Sequence, residues 1–227
     1  MQGKQQTVGA RLSSAIPYLT KGGCVADIGT DHAYLPIYLM QEGLISRAVA
    51  CDVNEGPIES ARAHIEAAGL SDRIQTLHTD GLHGVEPFAP DDILVFGMGG
   101  ELIVKILSEA PWIRNGAIRL ILQPMSRASV LRRWLCENGF SIVGETLSYE
   151  EKYYQTVAAR YTGVRTLYSD AEYEIGRINI ETRPPLFEDF LRHEIAVLNR
   201  ILAGKARSED ADATAERELK KCLEDLL

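Results

Sequence analysis

The chain has 227 residues, of which 45% are hydrophobic and 25% are charged, and its formal net charge is −8. This composition is typical of a globular protein and excludes a collagen-like or disordered chain. No apolar run approaches the roughly 18 residues that a membrane span needs, and the first twenty residues lack the apolar centre of a signal peptide. We therefore expect a cytoplasmic protein without a membrane partner.

The predicted elements begin with a strand and alternate from Cys24 to Arg160 between short β-rich runs and helical stretches, as in sheets built from β-α-β units. Strands are predicted at 24–28, 48–51, 74–77, 93–96, 118–122, 141–148 and 153–161, and helices at 57–68, 101–109 and 126–138. No helix separates the last two strands, so they should form an antiparallel hairpin. The fold class is therefore α/β, with a seven-stranded, mostly parallel sheet and an antiparallel last strand.

The composition changes after residue 162 to long, charged, amphipathic segments. Pro184 and Pro185 indicate the start of a helix, and apolar residues recur at three- and four-residue steps through residue 202 and again over 215–226. Two helices joined by a short connection should pack as an antiparallel pair. We therefore predict a sheet-containing domain at 1–162 and a helical domain at 163–227.

The cysteines are widely spaced and form no Cys-x-x-Cys pair. They are Cys24, Cys51, Cys136 and Cys222. This spacing predicts neither a disulfide framework nor a zinc site, so we expect reduced thiols and no metal.

Positive charge is concentrated in one part of an otherwise acidic chain. Residues 111–165 carry eight Lys and Arg against four Asp and Glu, whereas the segments before and after carry an excess of acids. If these cations share one face, that face would bind a phosphate backbone. The alternative is a solvated surface of scattered arginines.

Acidic and glycine residues follow the first four predicted strands. Ligands of open parallel sheets bind at this carboxyl edge, where the strand order reverses. In chain order, these residues are Asp27, Gly29 and Asp31; Asp52 and Val53; Asp80 and Gly81; and Gly97 and Met98.

The loop after the first strand discriminates between nucleotide cofactors. A dinucleotide site needs Gly-x-Gly-x-x-Gly, but Asp31 and Ala33 stand where further glycines would fall, and Asp31 would repel a phosphate. S-adenosylmethionine fits better, because its sulfonium and ammonium are cations and it has no phosphate. Asp52 would accept hydrogen bonds from its ribose, and Asp80 would meet its adenine amino group. A helix cap for Asp31 and a structural role for His32 are the alternatives.

Four motifs resemble one bacterial family. They are Asp-Ile-Gly-Thr-Asp-His-Ala-Tyr-Leu-Pro at 27–36, Asp-Gly-Leu at 80–82, Gly-Met-Gly-Gly at 97–100 and Leu-Gln-Pro-Met at 122–125. Over nearly its whole length the chain is similar to the tRNA (adenine-22-N1)-methyltransferase family, TrmK. The resemblance implies a class I methyltransferase (Rossmann-like) domain, S-adenosylmethionine, a tRNA substrate and a C-terminal coiled coil. It places the cofactor against Gly29, His32, Asp52, Asp80, Gly81, Gly97 and Met98.

The implied reaction is methylation of adenine N1, which already has a lone pair and needs no strong base before attack. Asp31 is the candidate for stabilising the cationic product or for accepting its N6 proton, and Gln123 for recognising the adenine edge. The helix with Arg127, Arg132 and Arg133 is the candidate RNA contact. The helical tail would contact tRNA or serve in stability or oligomerisation.

Three other side chains are candidates near the same edge. Arg11 would pair with the cofactor carboxylate. Tyr34 or Phe96 would stack on the extracted base, with a core role as the alternative. Two other functions are also compatible with the sequence: methylation of another RNA, a small molecule or a protein, and a noncatalytic RNA-binding adaptor with the same fold.

Overall fold

The computed structural model describes residues 8–207 and 212–227, so the start of the predicted first domain lies outside the described residues. The strands are β1 (Cys24–Ile28), β2 (Arg47–Asp52), β3 (Ile74–His78), β4 (Asp92–Met98), β5 (Arg119–Pro124), β6 (Phe140–Tyr149) and β7 (Tyr153–Tyr161). In the described part of the chain they form one seven-stranded sheet of order β3-β2-β1-β4-β5-β7-β6.

The strand directions confirm the predicted α/β class. β1 pairs in parallel with β2 and β4, and β4 pairs in parallel with β5. β7 is antiparallel to both β5 and β6, and it forms the predicted hairpin with β6. The strand order reverses between β1 and β4, which is where open sheets of this kind bind ligands.

Helices cover both faces of the sheet, and further helices follow it. They are α1 (Ala10–Ser13), α2 (Tyr34–Gln41), α3 (Glu55–Ala67), α4 (Gly100–Ser108), α5 (Ala128–Glu137), α6 (Asp170–Ile175), α7 (Arg177–Thr182), α8 (Phe187–Lys205) and α9 (Thr214–Glu224). Over residues 8–207 and 212–227, none of the helices is both long and apolar enough to cross a membrane. All four cysteines are free; Cys24, Cys51 and Cys136 are buried and Cys222 is exposed.

The core has one apolar cluster on each face of the sheet. Val25 points into the cluster with α2 and α3, whereas Ala26 and Ile28 point into the cluster with α4 and α5. Successive side chains of a strand face opposite sides. Burial of both faces explains why the central strands are continuous apolar runs.

The helices α8 and α9 lie antiparallel, as predicted. Lys205 at the end of α8 forms an ion pair of 2.6 Å with Glu216 near the start of α9. Arg183, just before α8, donates to the carbonyl of Leu226 after α9. Leu147 of β6 belongs to the same apolar cluster as these helices, so the tail packs against the sheet. A coiled coil remains a prediction.

A buried ion pair joins the sheet to the tail. Arg132 of α5 donates from Nε to Oε1 of Glu145 in β6 at 2.7 Å, and neither side chain is exposed. Its Nη1 donates to the carbonyls of Tyr173 and Glu174 at 3.0 Å. The other Glu145 oxygen accepts from the backbone N–H of Ile178 at 2.9 Å. The prediction that Arg132 contacts RNA is therefore wrong, because its guanidinium is enclosed and hydrogen-bonded within the protein.

We expect Arg132→Met to lower the free energy of unfolding by about 3–5 kcal/mol, because Glu145 would be left as a buried charge without a partner. Denaturant unfolding followed by circular dichroism measures the change. Arg133→Met is the matched control on the same helix, because Arg133 is 48% exposed in its ion pair with Asp170. Its loss should be about 0–1 kcal/mol. Equal losses in the two variants would contradict the assignment.

Candidate functional site

A cavity of about 410 Å³ opens at the carboxyl ends of β1 to β4. This is the edge at which the sequence predicts a ligand. Eight of the predicted site residues line the cavity: Gly29, Asp31, Asp52, Val53, Asp80, Gly81, Gly97 and Met98.

A glycine in the loop after β1 allows the side chain of Met98 to lie close to the backbone. Gly29 has a φ of +75°, and a Cβ at this position would lie 2.2 Å from Cε of Met98. The backbone N–H groups of Gly29 and Thr30 both donate to the carbonyl of Cys51, at 2.9 and 2.8 Å. The loop is therefore fixed to the end of β2 while its glycine admits the Met98 side chain.

The cavity combines acidic groups with a cation. Asp31, Asp52 and Asp80 supply carboxylates, and Arg11 is the one Lys or Arg among the described lining residues. Oδ1 of Asp52 accepts from the backbone N–H of Asn54 at 2.7 Å, which fixes the orientation of the carboxylate. Within residues 8–207 and 212–227, no cluster of three or more His, Cys, Asp or Glu is suited to a metal ion.

Asp27 lies beneath this edge and is 6% exposed. It lines a smaller cavity of about 110 Å³ that shares Arg11, Gly29 and Asp31 with the larger one. Burial, together with the neighbouring carboxylates of Asp52 and Asp31, raises the pKa of Asp27 to about 6. A cation bound nearby would favour the ionised form of this carboxyl group.

His32 does not line either cavity. Its Nε2 lies 3.1 Å from Oδ1 of Asp31, and its ring centroid lies 5.3 Å from Tyr34 and 5.4 Å from His64. His64 of α3 also contacts the carbonyl of His32 through Nδ1 at 3.1 Å. His32 is therefore placed to orient Asp31. His64 is not part of a recognisable sequence motif, so its contact with this loop could be identified only from the structure.

Gln123 is fully buried and does not line the larger cavity, contrary to the prediction that it recognises the adenine edge. Its Oε1 accepts from Nε of Arg11 at 3.0 Å. Its Nε2 donates to the carbonyl of Arg11 and to Oγ1 of Thr156, both at 2.9 Å. The hydrogen-bonding groups of the Gln123 amide are therefore bonded within the protein, next to Arg11.

The other two predicted RNA contacts are on the surface. Arg127 is exposed just before α5. Its carbonyl oxygen packs against Gly100, where a Cβ would lie 2.3 Å from that oxygen. Arg133 is 48% exposed and pairs with Asp170. Arg119 donates to the carbonyl of Tyr18. Because Arg132 is buried, the cations of residues 111–165 do not all share one solvent-exposed face.

Several residues of the cavity wall are not among those predicted from the sequence. Asn54, Thr79, Leu102 and Ile106 line it, and Leu102 is 46% exposed at its edge. Leu102 lies in the first turn of α4, directly after the glycine-rich loop. Its position after that loop is the signal that could have identified it.

Comparison with known proteins agrees with the resemblance in the sequence. The model of the family described as TrmK, tRNA (adenine(22)-N(1))-methyltransferase, matches residues 25–225. A Bacillus subtilis (strain 168) protein named tRNA (adenine(22)-N(1))-methyltransferase is 37% identical over 150 residues. That alignment covers 66% of this chain and 63% of the Bacillus protein, so it spans less than two thirds of the relative.

Solved structures match over almost the entire chain. A Streptococcus agalactiae protein described as a member of the NADB-Rossmann superfamily has a TM-score of 0.88 at 29% identity and covers 97% of both chains. A Streptococcus pneumoniae putative tRNA (m1A22) methyltransferase in complex with S-adenosyl-L-methionine has a TM-score of 0.86 at 31% identity. It covers 97% of this chain and 100% of that one. These neighbours confirm the Rossmann-like fold, and the family model establishes that the chain belongs to the TrmK family of tRNA (adenine(22)-N(1))-methyltransferases.

Proposed function

We propose that the protein transfers a methyl group from S-adenosylmethionine to N1 of adenine 22 in tRNA. Family membership and the name of the Bacillus relative support this reaction and substrate. The observation that carries the proposal is the charge pattern of the cavity, which sets three carboxylates and one arginine at the switch point of the sheet. With a tRNA substrate, the enzyme would act in the cytoplasm.

The charge pattern of the cavity complements S-adenosylmethionine group by group. The ligand carries a sulfonium, an ammonium and one carboxylate, and it has no phosphate. Asp52 would accept hydrogen bonds from the ribose hydroxyls, and Asp80 would accept one from the adenine amino group. Arg11 would bind the ligand carboxylate. Val53, which is 56% exposed at the cavity, would contact the adenine ring.

Asp27 and Asp31 would both stabilise the cationic end of the ligand, one from a buried position and the other from an exposed one. Asp27 is buried, whereas the Asp31 side chain is 84% exposed. Asp31 is therefore the carboxylate that an incoming base would meet. The Streptococcus pneumoniae neighbour, whose structure is a complex with S-adenosyl-L-methionine, supports the same ligand.

Bound S-adenosylmethionine supplies an electrophilic methyl group. Adenine N1 forms the new N–C bond with its lone pair while the S–C bond breaks and its electron pair returns to sulfur. The protein must hold N1, carbon and sulfur in line and exclude water. The 1-methyladenine product is cationic, and the exposed carboxylate of Asp31, fixed 3.1 Å from Nε2 of His32, would stabilise that charge.

The remaining surface would bind the tRNA outside the cavity. Arg127, next to the loop that contains Gly100, and Arg133 on α5 are our proposed phosphate contacts. The division into residues 1–162 and 163–227 is part of the same proposal. Helices α8 and α9 would either contact the tRNA body or mediate self-association.

One match favours a second candidate function with a different methyl acceptor. A protein-L-isoaspartate O-methyltransferase of Bordetella parapertussis is 30% identical over 103 residues, which is 45% of this chain. Its acceptor is a protein carboxylate rather than a base. The product of the reaction distinguishes the two candidates.

Incubation of the protein with unmodified tRNA and methyl-labelled S-adenosylmethionine should yield 1-methyladenosine at position 22. We expect this position because the family is defined by it, and mass mapping of nuclease fragments would locate the label. A tRNA with guanosine at position 22 is the control and should remain unlabelled. Label on protein carboxylates, or on an exocyclic adenine nitrogen, would contradict the proposal.

Asp52→Ala should weaken binding of S-adenosylmethionine by about 1–3 kcal/mol, the range for loss of a hydrogen bond that involves a charged group. Isothermal titration calorimetry measures the affinity. Asp72→Ala is the matched control, because Asp72 is an exposed aspartate in the turn before β3, at the opposite edge of the sheet. Wild-type affinity in Asp52→Ala would refute the ribose assignment.

Affinity for S-adenosylmethionine should increase as the pH rises between about 5 and 7. Burial holds the pKa of Asp27 at about 6 in the free protein. A cationic ligand favours the ionised carboxylate, so binding releases a proton below that pH and is weaker there. Calorimetry in buffers of different ionisation enthalpy measures the released proton. Asp27→Asn should flatten the pH profile; an unchanged profile would assign the proton to another group.

A further inference from the structure

The buried side chain of Gln123 forms hydrogen bonds to Arg11, the arginine that lines the cavity. An amide side chain has an acceptor oxygen and two N–H donors. The oxygen accepts from Nε of Arg11, and the nitrogen lies within 2.9–3.2 Å of the carbonyl of Arg11 and the hydroxyls of Ser14 and Thr156. Because Gln123 is 0% exposed, water does not compete for these hydrogen bonds.

In the described part of the chain, the other contacts of Arg11 are fewer and partly exposed. It lies in α1, a helix of four residues none of which is buried. Its backbone N–H donates to Oε1 of Glu150 at 2.8 Å, and its guanidinium carbon lies 5.4 Å from the ring centroid of Tyr154. Among residues 8–207 and 212–227, Gln123 is the one whose side chain bonds to both the guanidinium and the backbone of Arg11.

The far end of the guanidinium points to the cavity. A Cβ at Gly97, a lining residue with a φ of +80°, would lie 3.0 Å from Nη2 of Arg11. Of the three guanidinium nitrogens, Gln123 bonds only to Nε, which leaves Nη1 and Nη2 available to a ligand. Two parallel N–H groups of a guanidinium match the two oxygens of a carboxylate.

We propose that Gln123 is a positioning residue for the carboxylate of S-adenosylmethionine and acts through Arg11. This inference rests on the proposed function, because it takes S-adenosylmethionine as the ligand. A free arginine side chain loses rotamer entropy when it is ordered. Gln123 orders Arg11 before the ligand arrives, so that less of this entropy is lost on binding.

A merely structural role makes a different prediction. Gln123 also joins α1 to the sheet, since Oγ of Ser14 lies 2.7 Å from Oγ1 of Thr156 in the same cluster. Loss of that connection would weaken all ligands of the cavity alike. Loss of positioning would weaken only ligands that carry the carboxylate. Decarboxylated S-adenosylmethionine lacks that group and keeps the sulfonium and the amine, so it separates the two roles.

Gln123→Met should raise the Kd for S-adenosylmethionine about 5- to 20-fold, because part of the rotamer entropy of Arg11 would then be lost on ligand binding. The Kd for the decarboxylated ligand should change less than about twofold, which also shows that the cavity remains folded. Arg11→Met should lose at least as much affinity for S-adenosylmethionine. The double variant should lose no more than Arg11→Met, because Gln123 acts through Arg11.

Two further variants sharpen the test. Gln123→Asn keeps the amide but is too short to reach Nε of Arg11, so it should reproduce the selective loss and serves if Gln123→Met does not fold. Gln75→Met, at an exposed glutamine of β3 outside the cavity, is the matched control. In turnover assays, Gln123→Met should raise the KM for S-adenosylmethionine with little change in kcat.

Equal weakening of the two ligands, or additive losses in the double variant, would overturn the inference. Wild-type protein that binds both ligands with equal affinity would also overturn it, while leaving the proposed function intact. Wild-type protein that binds neither ligand would overturn the proposed function itself.

Discussion

The parallel register of β1 with its two neighbours is the constraint on which the site depends. Ile28 pairs with Cys51 of β2 and with Val95 of β4, so the three strands end at one edge. The residues that follow them, including Asp52 and Gly97, therefore emerge around one cavity. Burial raises the pKa of Asp27, and the neighbouring carboxylates of Asp52 and Asp31 raise it further, so a cation bound at this edge would be stabilised by the ionised carboxylates.

The parts of the fold that follow from local patterns can be predicted from the sequence. Strands buried on both faces are short apolar runs, and β1 and β7 begin and end at the predicted residues. The helix α2 is absent from the predicted elements because five of its eight residues, including Leu35 and Met40, are buried and leave no amphipathic period. Asp52 and Asp80 are predicted correctly as cavity residues because their position after a strand determines which edge they occupy.

The errors concern polar side chains whose partners are distant in sequence. Gln123 is recognisable as polar and at a strand end, but its burial depends on Arg11 and Thr156, which are 112 and 33 residues away. Arg132 is recognisable as part of a basic helix, but its partner Glu145 lies on β6. A single sequence does not contain such pairings, because a polar residue in a pattern does not reveal which way its side chain points.

Both corrected residues attach short helical segments to the same half of the sheet. Arg132 and its partner Glu145 join α6 and α7, each six residues long, to β6. Gln123 joins the four-residue α1 to β5 and β7. A buried polar group is costly unless all its partners are present, so each cluster favours one arrangement of the segment it holds. The β1–β4 half thus supplies the carboxylates of the cavity, whereas the β5–β7 half fixes the flanking segments. Arg11 is where the two halves meet, because it lines the cavity while its partners Gln123 and Tyr154 belong to β5 and β7.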